Sequence, residues 1–159
     1  MTPAGIGYDS HRLVEGRRLV IGGVQIPSER GLEGHSDSDV LAHAVIDALL
    51  GACGLGDIGE HFPDSDERWR DADSIALLEA VVAMVADRGL QIENVDCTVL
   101  MEAPKLAPHR SAIRASLARA LGLDAARVNV KASTGERIGF VGRGEGVAAL
   151  AVASLHGAG

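Results

Sequence analysis

HSDSDVLAHAVIDALLGA, residues 35–52, reads as a helix from Asp39 to Ala52. Leu41, Ala44, Val45, Ala48 and Leu49 share one side, while Asp39, His43 and Asp47 recur every four residues on another. The broad apolar side needs a partner, and the flanking sequence supplies strands. Residues 4–9 read as a short strand ending at Asp9, and RLVIGGVQI (18–26) as a bent strand broken at Gly22-Gly23. A polar loop follows from Gly54 to Arg70. The next helix, about 73–88, places Ile75, Leu78, Val82 and Val85 on one stripe and stops at Gly89. VDCTVLM (95–101) alternates as a strand, 108–121 is helical, and RVNVKAS (127–133) alternates again. VAALAVASL (147–155) is nearly all apolar and is expected to be a strand covered on both faces. Strands gathered around three helices predict an α+β fold, one domain over 1–159, with a single mixed sheet covered by helices on one face.

The chain has 159 residues, within reach of one domain with a sizeable core. Its aromatics are two Phe, one Tyr and one Trp, so that core must be aliphatic. A net charge of -7 argues against nonspecific nucleic-acid binding, which needs clustered Lys and Arg. It also means that any anionic ligand must find local positive charge, for which bound metal ions are an efficient source. Cys53 and Cys97 form no C-x-x-C pair and read as reduced, buried thiols. No signal peptide is expected ahead of GIGYDSH, and no apolar run approaches the roughly 20 residues of a membrane span. A cytoplasmic protein is expected.

In GYDSHRL, Asp9 and His11 are two apart, so a strand would point both side chains to one face. Taken alone, the pair also fits a strand-end turn with a solvated histidine. His43, on the polar stripe of its helix, is the third candidate. One carboxylate and two imidazoles with a vacant fourth position suit catalytic zinc. Asp47, one turn past His43, is expected to orient that imidazole from behind.

Five segments carry a resemblance: GYDSHRL, GHSDSDVLAHAVIDALLGACGLGDIGEHFPDSD, EAPKLAPH, VNVKASTGE and GFVGRGEG. Over about residues 5–155 the chain resembles the 2-C-methyl-D-erythritol 2,4-cyclodiphosphate synthase family. The resemblance implies a zinc site at Asp9, His11 and His43, with a substrate phosphate oxygen in the fourth position. It implies that His35 and Ser36 contact the substrate phosphates, and that His35 and Thr134 stabilise the transition state. Asp57, Ile58, Gly59, Phe62, Pro63, Asp64, Ser65 and Asp66 would hold the methylerythritol portion. Phe62 stands out there as one of two phenylalanines, placed in a polar loop. Met101, Glu102, Ala103, Pro104, Lys105, Leu106 and Ala107 would surround the cytosine, with Lys105 available to the phosphates. Ser133, Thr134, Gly135 and Glu136 would contact the diphosphate, Glu136 as ligand of magnesium or manganese. Phe140 and Arg143 would complete the site. The family implies a homotrimer with active sites at the junctions, and a cytidine diphosphate ligand.

Two positions depart from the family pattern. Gly135 replaces a hydroxyl residue before the metal-binding Glu136, and Leu150 stands where some relatives carry a polar residue near the trimer axis. The alternatives are a zinc phosphohydrolase, which would release inorganic phosphate, and a metal-stapled trimeric scaffold without turnover, which would enclose its metal fully.

Overall fold

The structure is a computed structural model and describes residues 2–159. Its first strand, β1 (Ala4–Glu15), runs well past Asp9. The second half persists because β4 (Arg30–Leu32) pairs antiparallel with it, Leu13 opposite Leu32. Asp9 and His11 are therefore mid-strand rather than at a strand end. The 18–26 segment is not one bent strand but a hairpin, β2 (Leu19–Ile21) and β3 (Val24–Ile26), turned at Gly22-Gly23 and separate from the main sheet. Both glycines take positive φ (59° and 78°), which L side chains resist.

The helix of 39–52 is α1 (Val40–Cys53). Asp39 is its N-cap and is fully buried: Oδ1 accepts Ala42 N–H (3.0 Å) and Gly22 N–H (2.8 Å), and Oδ2 accepts Gly23 N–H (2.6 Å). Burial pushes this carboxyl up to about 6 against those three donors. One side chain thus caps α1 and fastens the hairpin to it. The polar loop contains a short helix, α2 (Ile58–His61), and is pinned by an edge-to-face pair, Phe62 on Trp69, with centroids 5.0 Å apart. Then come α3 (Ser74–Asp87), β5 (Leu90–Leu100), α4 (Arg110–Leu121), β6 (Val128–Ser133), the single-turn α5 (Gly139–Gly142) and β7 (Gly146–Gly157).

The main sheet is mixed, in the order β4-β1-β7-β5-β6. β7 is antiparallel to both β1 and β5, and β5 and β6 are parallel. Residues alternate along each strand as the pleat requires. Ala149, Ala151, Ala153 and Leu155 of β7 are buried on the helix side with Val95, Cys97 and Val99 of β5. The α+β architecture with one mixed sheet and helices packed on it is as expected.

The two-sided burial expected of β7 does not occur within the chain. Leu150 and Val152 are 39% and 47% exposed, beside Tyr8 and Ile6 at 52% and 70%. Their register pairs, Ile6 opposite Val152 and Tyr8 opposite Leu150, place all four on the sheet face away from the helices. An apolar run cannot by itself say whether its second cover comes from the same chain. No helix among the described residues is long and apolar enough to cross a membrane.

Candidate metal centre and the clefts around it

Period two points Gly5, Gly7, Asp9 and His11 to the helix face of β1. Gly5 and Gly7 are the places where α1 lies on the strand: a Cβ at either would collide with the carbonyls of Ala48 and Ala44. This close approach brings His43 down onto Asp9. His11 Nε2 lies 2.8 Å and His43 Nδ1 3.1 Å from the same Asp9 oxygen, Oδ2. One donor atom from each of the three residues lies within 4.8 Å of the others, close enough to hold a metal ion. The imidazole edges are T-shaped to one another, with centroids 5.6 Å apart.

Each ring is held by its other nitrogen. His11 Nδ1 lies 3.0 Å from the Glu33 carbonyl, which accepts its proton and leaves Nε2 for the centre. His43 Nε2 lies 2.8 Å from Ser74 Oγ. Asp47 does not take this place. Its Oδ1 accepts Ile58 N–H at 2.8 Å and so fastens α2 to α1. The four-residue spacing put Asp47 on the right helix face, but His43 turns its far edge toward α3. Burial pushes the Asp9 carboxyl up, yet the hydrogen bonds and charges of His11 and His43 outweigh it and hold Asp9 at about 2. Burial pulls the His43 imidazole down, and Asp9 more than restores it, leaving its pKa raised.

The centre forms the floor of a cleft of about 420 Å³. His35, Ser36, Ile58, Gly59, Phe62, Pro63 and Asp64 line it with Asp9, His11 and His43. Arg17 steadies the His35 loop by donating to the carbonyls of Gly34 (3.2 Å) and Ser36 (2.9 Å). Three residues expected in the same group do not line the cleft. Asp57 caps α2 through Glu60 N–H, Asp66 caps the following turn and forks onto Arg68, and Ser65 lies between. Phe62 touches the cleft, but its placement in a polar loop is explained by the core as well, since it is only 9% exposed and packs on Trp69.

A second cleft, about 220 Å³, opens where β5 and β6 end. Met101, Glu102, Lys105, Leu106, Ala107, Ser133 and Thr134 line it, while Ala103-Pro104 form the turn beneath. Glu102 has a part that its sequence position did not announce. Its Oε2 accepts Gly135 N–H at 2.8 Å and braces the turn that carries Thr134 and Glu136. Glu136 takes a left-handed φ of 52°, its N–H donating to Thr134 Oγ1 at 3.2 Å. Gly135 packs against Gly142, where a Cβ would stand 2.8 Å from the Gly142 Cα. A side chain at Gly135 would therefore have to displace Gly142. Arg143 pairs with Glu145 at 2.8 Å, and Phe140 lies near His11 and Gly146 in a third, smaller cleft.

The first two of these clefts open at the same end of the sheet, because β1, β5 and β6 run in one direction. They are separated by the three strand spacings from β1 to β6, about 14 Å.

The model of the YgbB family matches residues 3–156. The chain belongs to the YgbB family. Among curated proteins it is 60% identical over 154 residues to the 2-C-methyl-D-erythritol 2,4-cyclodiphosphate synthase of Salinibacter ruber, covering 97% of this chain and 98% of the relative. The synthase of Burkholderia thailandensis is 60% identical over 149 residues, 94% of this chain and 92% of that one. A solved 2-C-methyl-D-erythritol 2,4-cyclodiphosphate synthase in a CDP-bound form superposes with a TM-score of 0.89 at 42% identity, covering 96% of this chain and 99% of the other. The bifunctional IspDF of Campylobacter jejuni superposes at 0.94 with 44% identity, and there this YgbB-family chain covers 98% of itself but 42% of the longer protein.

Proposed function

We propose that this chain converts 4-diphosphocytidyl-2-C-methyl-D-erythritol 2-phosphate into the 2,4-cyclodiphosphate and CMP, a step in isoprenoid precursor synthesis. The observation that carries the reading is the convergence of Asp9, His11 and His43 at the floor of an open cleft, in a chain matching the family over 3–156.

An oxygen of the 2-phosphate attacks the β-phosphorus, the bond from that phosphorus to the bridging oxygen breaks, and CMP leaves with the electron pair. A phosphate monoester has a second pKa near 6, so the attacking group is already largely ionised at neutral pH. CMP departs as a stable anion. Neither a strong base nor a strong acid is needed, which agrees with a site built of candidate metal ligands and hydrogen-bond donors. The work is to fold an anionic substrate on itself and hold its phosphates in line, worth about 7–11 kcal/mol when well done.

Asp9, His11 and His43 fit zinc: a carboxylate oxygen and two imidazole nitrogens converge, each ring secured from behind. Glu136, an exposed single carboxylate beside Thr134, fits magnesium or manganese, which commonly take one or two carboxylates and complete their shell with substrate phosphate and water. When bound, these ions supply the positive charge against the phosphates that a chain of net charge -7 otherwise lacks. His35 and Ser36 face the phosphates from the loop above the centre, and Thr134 donates to the transferring group. Ile58, Gly59 and Phe62–Asp64 enclose the sugar-derived portion, with Asp57, Ser65 and Asp66 shaping that loop. Met101–Ala107 receive the cytosine, Lys105 turns to the phosphates, and Ser133, Gly135, Phe140 and Arg143 complete the wall.

The active enzyme is a homotrimer with its sites between subunits. Two observations support this: the apolar sheet face of Ile6, Tyr8, Leu150 and Val152 lacks a cover, and the two clefts lie about 14 Å apart on one chain. A neighbour's Met101–Thr134 cleft set against the Asp9–His43 cleft makes one site. A cytoplasmic location is part of this reading, in keeping with the free thiols Cys53 and Cys97.

Purified protein incubated with the cytidylylated substrate, zinc and magnesium should release CMP and no inorganic phosphate. Phosphate in place of CMP would identify a hydrolase instead. No turnover under these conditions would leave only a binding scaffold.

A further inference from the structure

His43 meets Asp9 through Nδ1, so whatever holds Nε2 sets the ring. Nε2 lies 2.8 Å from the Oγ of Ser74, a fully buried residue at the first turn of α3. Ser74 is gripped in turn by Asp37, whose Oδ2 accepts Ser74 N–H at 2.9 Å and whose Oδ1 meets the Ser74 hydroxyl. The direction of this chain of hydrogen bonds follows from what each group can offer. Both Asp37 oxygens accept backbone N–H groups, from Ser74 and Asp39, so the Ser74 hydroxyl donates to Oδ1. Ser74 Oγ then has only lone pairs for His43, so Nε2 must carry a proton and donate it. The Nδ1 lone pair is left for the centre. Ser36 Oγ is a longer second neighbour of Nε2 at 3.4 Å, and Asp37 Oδ1 also accepts Asp39 N–H at 3.1 Å, which ties the same carboxylate to the start of α1.

We propose that Ser74 and Asp37 form a positioning relay that fixes the tautomer and ring orientation of His43 for metal ligation. The relay rests on the metal reading of Asp9, His11 and His43. It links two of the helices packed on the sheet, since His43 rides on α1 and Ser74 on α3. Neither Asp37 nor Ser74 lines the substrate cleft, and Ser74 meets the centre through His43.

Cobalt titration tests this, because the visible band of bound Co2+ reports ligand geometry directly and zinc affinity follows from competition with a chelating dye. Wild-type protein should bind one Co2+ per chain at this centre. Ser74→Ala and Asp37→Asn should each weaken Co2+ and zinc by about 10–100-fold and shift the band. The double variant should lose little beyond either single one, as expected of parts acting as a unit. In Asp37→Asn an amide nitrogen in place of Oδ1 would donate to Ser74 Oγ, letting the hydroxyl turn and donate to His43, at the cost of the Asp39 N–H contact; the variant keeps the side-chain shape. Asp73→Ala is the structural control: it removes the α3 cap, which accepts Ile75 N–H at 2.9 Å, and should lower thermal stability with metal affinity unchanged. Wild-type affinity and an unshifted band in both Ser74→Ala and Asp37→Asn would overturn the relay while leaving the metal centre intact. A wild-type chain that takes up no Co2+ would overturn the metal reading and the relay with it.

Discussion

Gly7 of β1 lies so close beneath the Ala44 carbonyl of α1 that no side chain fits between them. The helix can therefore settle onto the strand one residue past His43, and the imidazole reaches Asp9. Gly7→Ala should lift α1, cost about 1–3 kcal/mol of stability, and weaken metal binding although no ligand is changed. Urea unfolding and metal content after dialysis measure the two effects together. Wild-type metal content in a folded Gly7→Ala protein would refute the link.

Glu102 holds Gly135 N–H at 2.8 Å, and with it the turn bearing Thr134 and Glu136. Glu102→Ala should slow CMP release by about 10–100-fold through misplacement of that turn, while zinc content stays at the wild-type level. Activity and metal analysis on one preparation decide this.

Cys97 should be inert in the native protein. Burial, helped by the Asp96 charge and opposed by Lys131, pushes its thiol up from an ordinary 9.0 to about 12. At pH 8 a disulfide reagent should titrate at most Cys53, which is only half-buried, and reach Cys97 after unfolding. The same shift sets a slope in stability. The folded thiol keeps its proton where the unfolded one loses it, so this contribution is complete below about pH 9 and fades as pH rises toward 12. Urea midpoints across that interval should fall, and less so in Cys97→Ala.

If the proposed homotrimer uses this face, Leu150→Asp together with Val152→Asp should leave a folded monomer of 16.5 kDa, since both side chains already face away from the core. Light scattering gives the mass and circular dichroism the fold. CMP release should disappear along with the assembly, because an uncompensated carboxylate is costly to bury at an interface.

Much of this was legible in the chain itself. The two-residue step from Asp9 to His11 and the four-residue step along α1 are local periodicities, and the structure keeps both. The sheet, its covering helices and the strand at 128–133 followed from the same kind of signal. What escaped was non-local. That β1 continues to Glu15 depends on β4, a three-residue strand with no pattern of its own. That Ser74 rather than Asp47 secures His43 depends on how α3 crosses α1, which no spacing within either helix encodes. The open face of β7 was hidden by the same apolar run that revealed the strand. The brace from Glu102 to Gly135 spans thirty-three positions between two strand ends, and only the parallel pairing of β5 with β6 brings them together.

The placing of the two clefts on strands about 14 Å apart has a genetic corollary. If a working centre borrows one wall from each of two subunits, then His43→Ala and Glu136→Gln damage opposite walls. Each mutant alone assembles only broken junctions, yet mixed rings contain some junctions with both walls sound. Two inactive alleles expressed together would then rescue growth that neither supports by itself.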